Sequence, residues 1–80
     1  MILTKNELEV CRLFRRKRTF EQAYQRSRFR SQGNLMTYIK RLLYLGALEE
    51  YVHFYERDGL INELRTYRCT HRNLFYKNIK

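Results

Sequence analysis

The hydrophobic pattern of this chain changes period at Gly46, and this change constrains the fold more than any other feature. Before Gly46, apolar residues recur every three or four positions, as they do along one face of a helix. After it, Leu48, Val52 and Phe54 are interleaved with charged and aromatic residues, which indicates a strand. The pattern therefore predicts an α+β fold with helices first and strands last.

Three helix-start signals divide the first part of the chain. Thr4 with Glu7, and Thr19 with Gln22, have the capping-box spacing, in which the two side chains satisfy free N–H groups of the first helical turn. Ser31 is a third N-cap. The helices predicted from these signals are 5–17, 20–27 and 32–45.

The second part of the chain predicts a β-hairpin over 47–70, with a turn at Asp58 and Gly59. Its register stays open, because loops of two and three residues pair different partners. The tail 71–80 also stays open between a third strand, a helical turn and an arm that contacts a partner.

The 80 residues, at 10.0 kDa, are the size of one small domain, so we treat 1–80 as a single unit. The predicted core takes residues from both parts of the chain. It consists of Leu8, Cys11, Phe14, Phe20, Tyr24, Leu35, Ile39, Leu42, Leu48 and Val52.

Positive charge is concentrated in the first part of the chain. The sequence has 17 Lys and Arg against 8 Asp and Glu. Residues 1–46 hold eleven of the basic side chains and only three of the acidic ones. The densest stretch, 12–30, has eight basic residues and one acid, Glu21. An uneven positive surface attracts polyanions, so this distribution favours a nucleic-acid partner.

Four segments carry a family resemblance through their order and spacing. They are Leu3-Thr4-x-x-Glu7-Leu8-Glu9-Val10, Ser31-x-x-Asn34-Leu35-x-x-Tyr38-Ile39-Lys40-Arg41-Leu42, Leu45-Gly46-Ala47-Leu48-Glu49 and Arg65-x-Tyr67-Arg68-Cys69-Thr70. Together they resemble the winged-helix branch of the helix-turn-helix DNA-binding domains over roughly residues 3–70. The resemblance implies three helices with a C-terminal hairpin wing, and a transcriptional regulator that binds a specific sequence of double-stranded DNA.

The resemblance also implies site residues, with helix 32–45 in the major groove. Asn and Gln pair with adenine and Arg with guanine, while Gly33 lets the backbone approach. The candidate base contacts are Gln32, Asn34, Thr37, Tyr38 and Arg41. The candidate phosphate contacts are Arg28, Arg30, Ser31, Lys40 and Arg57. The wing departs from the family pattern, because Glu56, Asp58 and Glu63 make it less basic than a wing that grips phosphate.

The sequence gives little support to other functional classes. Cys11 and Cys69 lie in no zinc-ligand spacing with each other or with His53 and His71, so we predict two small buried side chains and no metal or other cofactor. Without a Gly-rich phosphate loop or a nucleophile paired with a base, we expect no enzymatic activity. The first residues do not form a secretory signal, and no apolar run reaches the roughly 20 residues that span a bilayer, so we expect a cytoplasmic protein without a membrane partner.

Two other functions stay open. One is a protein–protein adaptor on the same fold, with Tyr51 and Tyr55 as its contact surface; the other is an RNA or single-strand binder that stacks tyrosines on bases. We also expect a homodimer, because small modules of this type usually bind DNA in pairs. The expected contact is helix 1 or the tail residues Leu74, Phe75 and Ile79.

Overall fold

The computed structural model describes residues 3–70, which form three helices followed by a two-stranded antiparallel hairpin. This order confirms the predicted α+β class. The elements are α1 (Lys5–Leu13), α2 (Phe20–Arg26), α3 (Gln32–Tyr44), β1 (Leu48–Arg57) and β2 (Leu60–Cys69). The predictions for the tail 71–80, including a contact through Leu74, Phe75 and Ile79, lie outside the described residues.

The first helix begins at the predicted cap. The Oγ1 atom of Thr4 accepts the N–H of Glu7 at 3.2 Å, and the N–H of Thr4 donates to Oε1 of Glu7 at 2.8 Å. These two bonds form a complete capping box.

The end of α1 differs from the prediction, because the helix stops at Leu13 rather than at 17. The backbone that follows pairs with β2 instead. The carbonyl of Phe14 accepts the N–H of Cys69 at 2.8 Å, and Arg18 and Tyr67 exchange two backbone hydrogen bonds of 3.1 and 2.8 Å. The basic run after α1 is therefore a connection held against the base of the hairpin.

The other two helices begin at their predicted caps and each end one residue early. Thr19 and Gln22 form the second capping box, and Oγ of Ser31 accepts the N–H of Asn34 at 3.4 Å. After α3 the chain turns at Gly46, whose φ of 76° lies in the left-handed region that favours glycine.

The hairpin resolves the register that the sequence leaves open. Ten residue pairs run from Leu48–Cys69 to Arg57–Leu60. The two-residue loop of Asp58 and Gly59 has φ values of 55° and 75°, as a type I′ turn requires. Strands of ten residues carry the turn about 30 Å from the base of the hairpin.

The core lies between the helices and the base of the hairpin. Among the predicted core residues Val52 is wrong: it is 39% exposed, because β1 has already left the helices at that point. Phe20 and Tyr24 stack on each other at the margin of the core and are half-buried, and Ala23 takes the buried position of α2. The buried apolar residues are Leu3, Leu8, Val10, Cys11, Phe14, Ala23, Leu35, Ile39, Leu42, Ala47, Leu48, Tyr67 and Cys69.

The two cysteines are buried in this core as free thiols, which confirms their predicted packing role. Burial, together with the neighbouring thiol of Cys69, raises the pKa of Cys11 to about 12. The Cys11 thiol is therefore protonated at neutral pH.

Candidate nucleic-acid interface

One face of α3 packs on the core and the opposite face is open to solvent. Leu35, Ile39 and Leu42 are fully buried and hold the helix in place from behind. No residue of Gln32–Tyr44 is acidic. The exposed residues are Gln32, Gly33, Asn34, Thr37, Lys40, Arg41 and Tyr44. The open face therefore presents polar and basic groups on a rigid support.

Gly33 and Thr37 lie in the first two turns of α3, on its exposed face. A Cβ added to Gly33 would meet Oγ of Ser31 at 3.6 Å and no closer atom, so helix packing does not require glycine there. The Oγ1 atom of Thr37 donates to the carbonyl of Gly33 at 2.9 Å, which orients its methyl group as well as its hydroxyl. The backbone at Gly33 is thus exposed and carries no side chain.

Tyr38, a candidate base contact, is engaged with the protein on the flank of this face. Its ring lies 5.4 Å from that of Phe29, centroid to centroid, and its Oη accepts a hydrogen bond from Nδ2 of Asn6 at 3.3 Å. The residue is half-buried. These contacts tie the first turn of α1 and the α2–α3 connection to α3.

Arg41 is held by Glu7, for which the sequence predicted no role in the site. Its Nε donates to Oε2 of Glu7 at 2.7 Å, while the Arg41 side chain is 66% exposed and the Glu7 side chain 5% exposed. Within residues 3–70, neither Nη atom of Arg41 has a protein hydrogen-bond partner. Glu7 therefore fixes the inner edge of the guanidinium and leaves its Nη groups at the surface.

The Glu7 carboxylate is ionised in this position. The hydrogen bond from the N–H of Thr4 and the bond to Arg41 lower its pKa, although burial opposes them. The capping-box spacing identified Glu7 as an N3 residue, but its contact with Arg41 joins positions 34 residues apart and has no local sequence signal.

The candidate phosphate contacts fall into two groups. Arg28, Arg30 and Ser31 are exposed on the α2–α3 connection, and Lys40 is exposed on α3. Arg57 is exposed at the end of β1, about 30 Å along the hairpin from its base, so the structure does not bring it together with the others.

The α2–α3 connection is fixed by its own hydrogen bonds. Oη of Tyr24 donates to the carbonyl of Arg30 at 3.0 Å, and Oγ of Ser27 donates to the carbonyl of Tyr24 at 2.8 Å. The backbone that carries Arg28 and Arg30 is therefore ordered next to the start of α3.

A basic cleft of about 290 Å³ lies beside α2. Burial lowers the pKa of Arg18, and the positive charges of Arg26 and Arg16 lower it further. The cations of this cleft thus repel one another, and a bound anion would relieve the repulsion. The cleft is lined by Arg16, Lys17, Arg18, Gln22, Gln25 and Arg26.

A second cleft, of about 220 Å³, lies between α1 and the α2–α3 connection. Arg12 lines this cleft, and its Nε is buried without a hydrogen-bond partner among the described residues. Arg26 and Arg28 line the same cleft, together with the single acid Glu9. The basic segment 12–30 therefore surrounds α2 with cationic concavities.

The hairpin presents a different surface. Tyr51 lies at its base, with Nζ of Lys17 3.9 Å above the ring, and its Oη donates to Oε2 of Glu49 at 2.6 Å. This hydrogen bond raises the pKa of Tyr51. Tyr55, farther along β1, is exposed, so of the two candidate partner residues Tyr51 is engaged with the body of the protein.

Comparison with protein-family models, with curated protein sequences and with solved structures finds no match to this chain. Within residues 3–70 no helix is long and apolar enough to cross a membrane. The same part of the chain holds no group of three His, Cys, Asp or Glu side chains placed to bind a metal ion. The geometry of α3 and its basic surroundings is therefore the guide to what this protein binds.

Proposed function

We propose that this protein is a winged-helix transcriptional regulator that binds a specific sequence of double-stranded DNA. The observation that carries the proposal is the acid-free outer face of α3, which is supported by a fully buried opposite face and lies next to the ordered basic connection. The order of three helices and a hairpin is compatible with the winged-helix layout.

In this proposal α3 enters the major groove and reads base edges. Gln32 and Asn34 are exposed in its first turn, and either amide can pair with adenine. Arg41 offers its two Nη groups for guanine O6 and N7 while Glu7 holds Nε. Gly33 allows the backbone between these side chains to approach the DNA closely.

The phosphate backbone is held by the basic surface beside α3. Arg28, Arg30 and Ser31 are exposed on one connection, so a single strand of phosphates can contact them together. The clefts around Arg26 can accept further phosphates. Arg57 stands apart, so the hairpin contributes little to this contact.

The test begins with selection of bound sequences from a random duplex pool, followed by affinities for the selected and a random duplex over one salt series. Arg28→Ala should weaken binding to both duplexes alike and reduce the salt slope by about one. Arg41→Ala should cost about 1–3 kcal/mol on the selected duplex and relax preference at one base pair. Arg57→Ala removes the same charge far from α3 and is the matched control.

Equal losses on both duplexes for Arg41→Ala would show that α3 does not read sequence. Tighter binding to single-stranded than to duplex nucleic acid would instead favour the RNA or single-strand binder.

The exposed apolar residues of the hairpin favour a second candidate, a protein–protein adaptor. Residues 48–69 hold five acidic and three basic side chains, and Phe54 and Ile61 are 63% and 80% exposed. An adaptor would show no duplex binding even at low salt, because the basic face would then be only a solvated surface.

A further inference from the structure

The larger cleft beside α2 collects positive charge that the protein itself leaves uncompensated. Four of its six lining side chains are cations and none is an acid. Within residues 3–70 these four cations form no ion pair with an acidic side chain. The lining residues are Arg16, Lys17, Arg18, Gln22, Gln25 and Arg26.

The wall of this cleft that comes from the α1–α2 connection is fixed by contacts with the rest of the protein. The backbone of Arg18 exchanges two hydrogen bonds with Tyr67, and its Nη1 donates to the carbonyl of Leu13 at 3.4 Å. Nζ of Lys17 lies 3.9 Å from the centre of the Tyr51 ring. The fold therefore keeps the cations of the connection in place, although the cations around the cleft repel one another.

Gln22 lines the cleft without adding charge to it. In the α2 capping box its Oε1 accepts the N–H of Thr19 at 3.0 Å, and its Nε2 has no protein partner within the described part of the chain. The capping box of α1 has Glu7 at the equivalent position. Glutamate and glutamine both complete a capping box, so capping does not require glutamine at α2. A carboxylate there would neutralise part of the cleft.

The charge of the cleft matches a chain of linked phosphates better than a single phosphate. A phosphodiester of a nucleic-acid backbone carries one negative charge, and a terminal phosphate carries about 1.5–2 at neutral pH. Four cations around one cleft of about 290 Å³ exceed what one such group compensates. The lining has no apolar or aromatic side chain, so it offers no surface on which a base could stack.

We propose that this cleft binds an oligophosphate, meaning a chain of two or more linked phosphate groups, whether inorganic or at the end of a nucleotide. Arg16, Arg18 and Arg26 contact its oxygens through charge-assisted hydrogen bonds, and the amides of Gln22 and Gln25 add neutral donors. None of the lining residues belongs to α3 or to the α2–α3 connection. The proposal goes beyond the proposed contact with DNA and does not depend on it.

Titration calorimetry of the full chain with sodium tripolyphosphate, at constant ionic strength, tests the site. Wild type should bind one tripolyphosphate per chain, about tenfold or more tighter than inorganic phosphate, because more charges are paired. Gln22→Glu keeps the capping box but places an acid in the cleft, so it should weaken this binding by about tenfold or more. Asn62→Asp makes the same change from amide to acid in the outer part of the hairpin and should change the affinity by less than about twofold.

Urea unfolding of Gln22→Glu reports whether the fold is kept. This variant should be at least as stable as wild type, because its carboxylate relieves the repulsion among the cations. Arg16→Gln removes one exposed cation of the cleft without touching the cap, and it should weaken tripolyphosphate binding as well.

Absence of saturable binding at millimolar tripolyphosphate overturns the proposal. An equal loss of affinity in Gln22→Glu and Asn62→Asp also overturns it, because the net charge of the chain would then be the source of the attraction. A Gln22→Glu protein that loses duplex binding but binds tripolyphosphate as wild type does would show that the cleft contacts only the DNA backbone. The oligophosphate site would then be wrong while the proposed function stands.

A nucleoside triphosphate distinguishes the two sources of the phosphate chain. It should bind no tighter than tripolyphosphate, because the lining contacts only phosphates. A nucleotide that binds more than about tenfold tighter would show that its base or sugar is recognised, and this would overturn the assignment of recognition to the phosphate chain.

Discussion

The ion pair between Arg41 and Glu7 predicts that a residue on the proposed reading face also stabilises the fold. Removing the guanidinium with Arg41→Ala leaves a carboxylate that is 5% exposed with the Thr4 N–H as its remaining partner. Because Arg41 itself is 66% exposed, solvent screens the attraction, and we expect a loss of about 1 kcal/mol in the free energy of unfolding at pH 7. For a chain of this size that loss lowers the melting temperature by about 4–8 °C.

The lowered pKa of Glu7 also determines how the cost of Arg41→Ala, in free energy of unfolding, depends on pH. The pKa of Glu7 is lower in the folded protein than the ordinary value of 4.5, so its ionised form stabilises the fold above that value. This stability is lost as the pH falls from 4.5 through the lowered folded pKa. The cost of Arg41→Ala should therefore be full at pH 7 and shrink toward zero in strong acid.

Urea unfolding of wild type and Arg41→Ala at pH 7 and at pH 2.5–3.0 measures this difference, with Lys40→Ala as the matched control. Lys40 is an exposed cation on the same helix without an ion pair within residues 3–70, so its removal should change stability by less than about 0.5 kcal/mol at either pH. A cost for Arg41→Ala that is equal at both pH values, or equal to that of Lys40→Ala, would refute the role of the Glu7 contact.

Three further predictions concern the fold and the α3 surface. Ile39→Ala should cost about 2–5 kcal/mol in urea unfolding because Ile39 is fully buried, whereas Val52→Ala should cost less than about 1 kcal/mol. The neutral Cys11 thiol contributes stability that is present below its ordinary pKa of 9.0 and lost as the pH rises through about 12; the stability of Cys11→Ala should therefore fall less steeply than that of wild type over this range, by up to about 1.4 kcal/mol per pH unit. Gly33→Ala should raise the free energy of unfolding by about 0.5–1 kcal/mol yet weaken binding to the selected duplex, because the added methyl group meets only Oγ of Ser31, at an ordinary contact distance of 3.6 Å, in the free protein but would meet the groove floor in the proposed complex. A Gly33→Ala protein that binds the selected duplex as tightly as wild type would remove the close backbone approach from the mechanism.

Local signals predicted the helix starts well because capping is local chemistry. Thr4, Thr19 and Ser31 each accept the backbone N–H that the spacing implies. The end of α1 was not predictable in this way. Its basic run is compatible with a last helical turn. The backbone pairs with the hairpin instead because Tyr67 and Cys69 supply partners for Arg18 and Phe14, 49 and 55 residues later in the chain.

The candidate site was predictable as a surface but not as a set of contacts. Helical periodicity identified the outer face of α3, because Leu35 and Ile39 fix the direction that the helix buries. The environment of Arg41 depends on how α1 crosses α3, which no local pattern specifies. Val52 shows the same limit for burial: an alternating pattern identifies a strand face but not how far along the strand the helices still cover it.

The two parts of the chain differ in charge. The helical part is strongly positive, whereas residues 48–69 carry more acids than bases and expose apolar side chains. Contact with phosphate is therefore favoured at the helices and disfavoured at the hairpin. A charge change on the outer part of the hairpin should consequently leave the salt slope of DNA binding unchanged, whereas loss of Arg28 reduces that slope by about one.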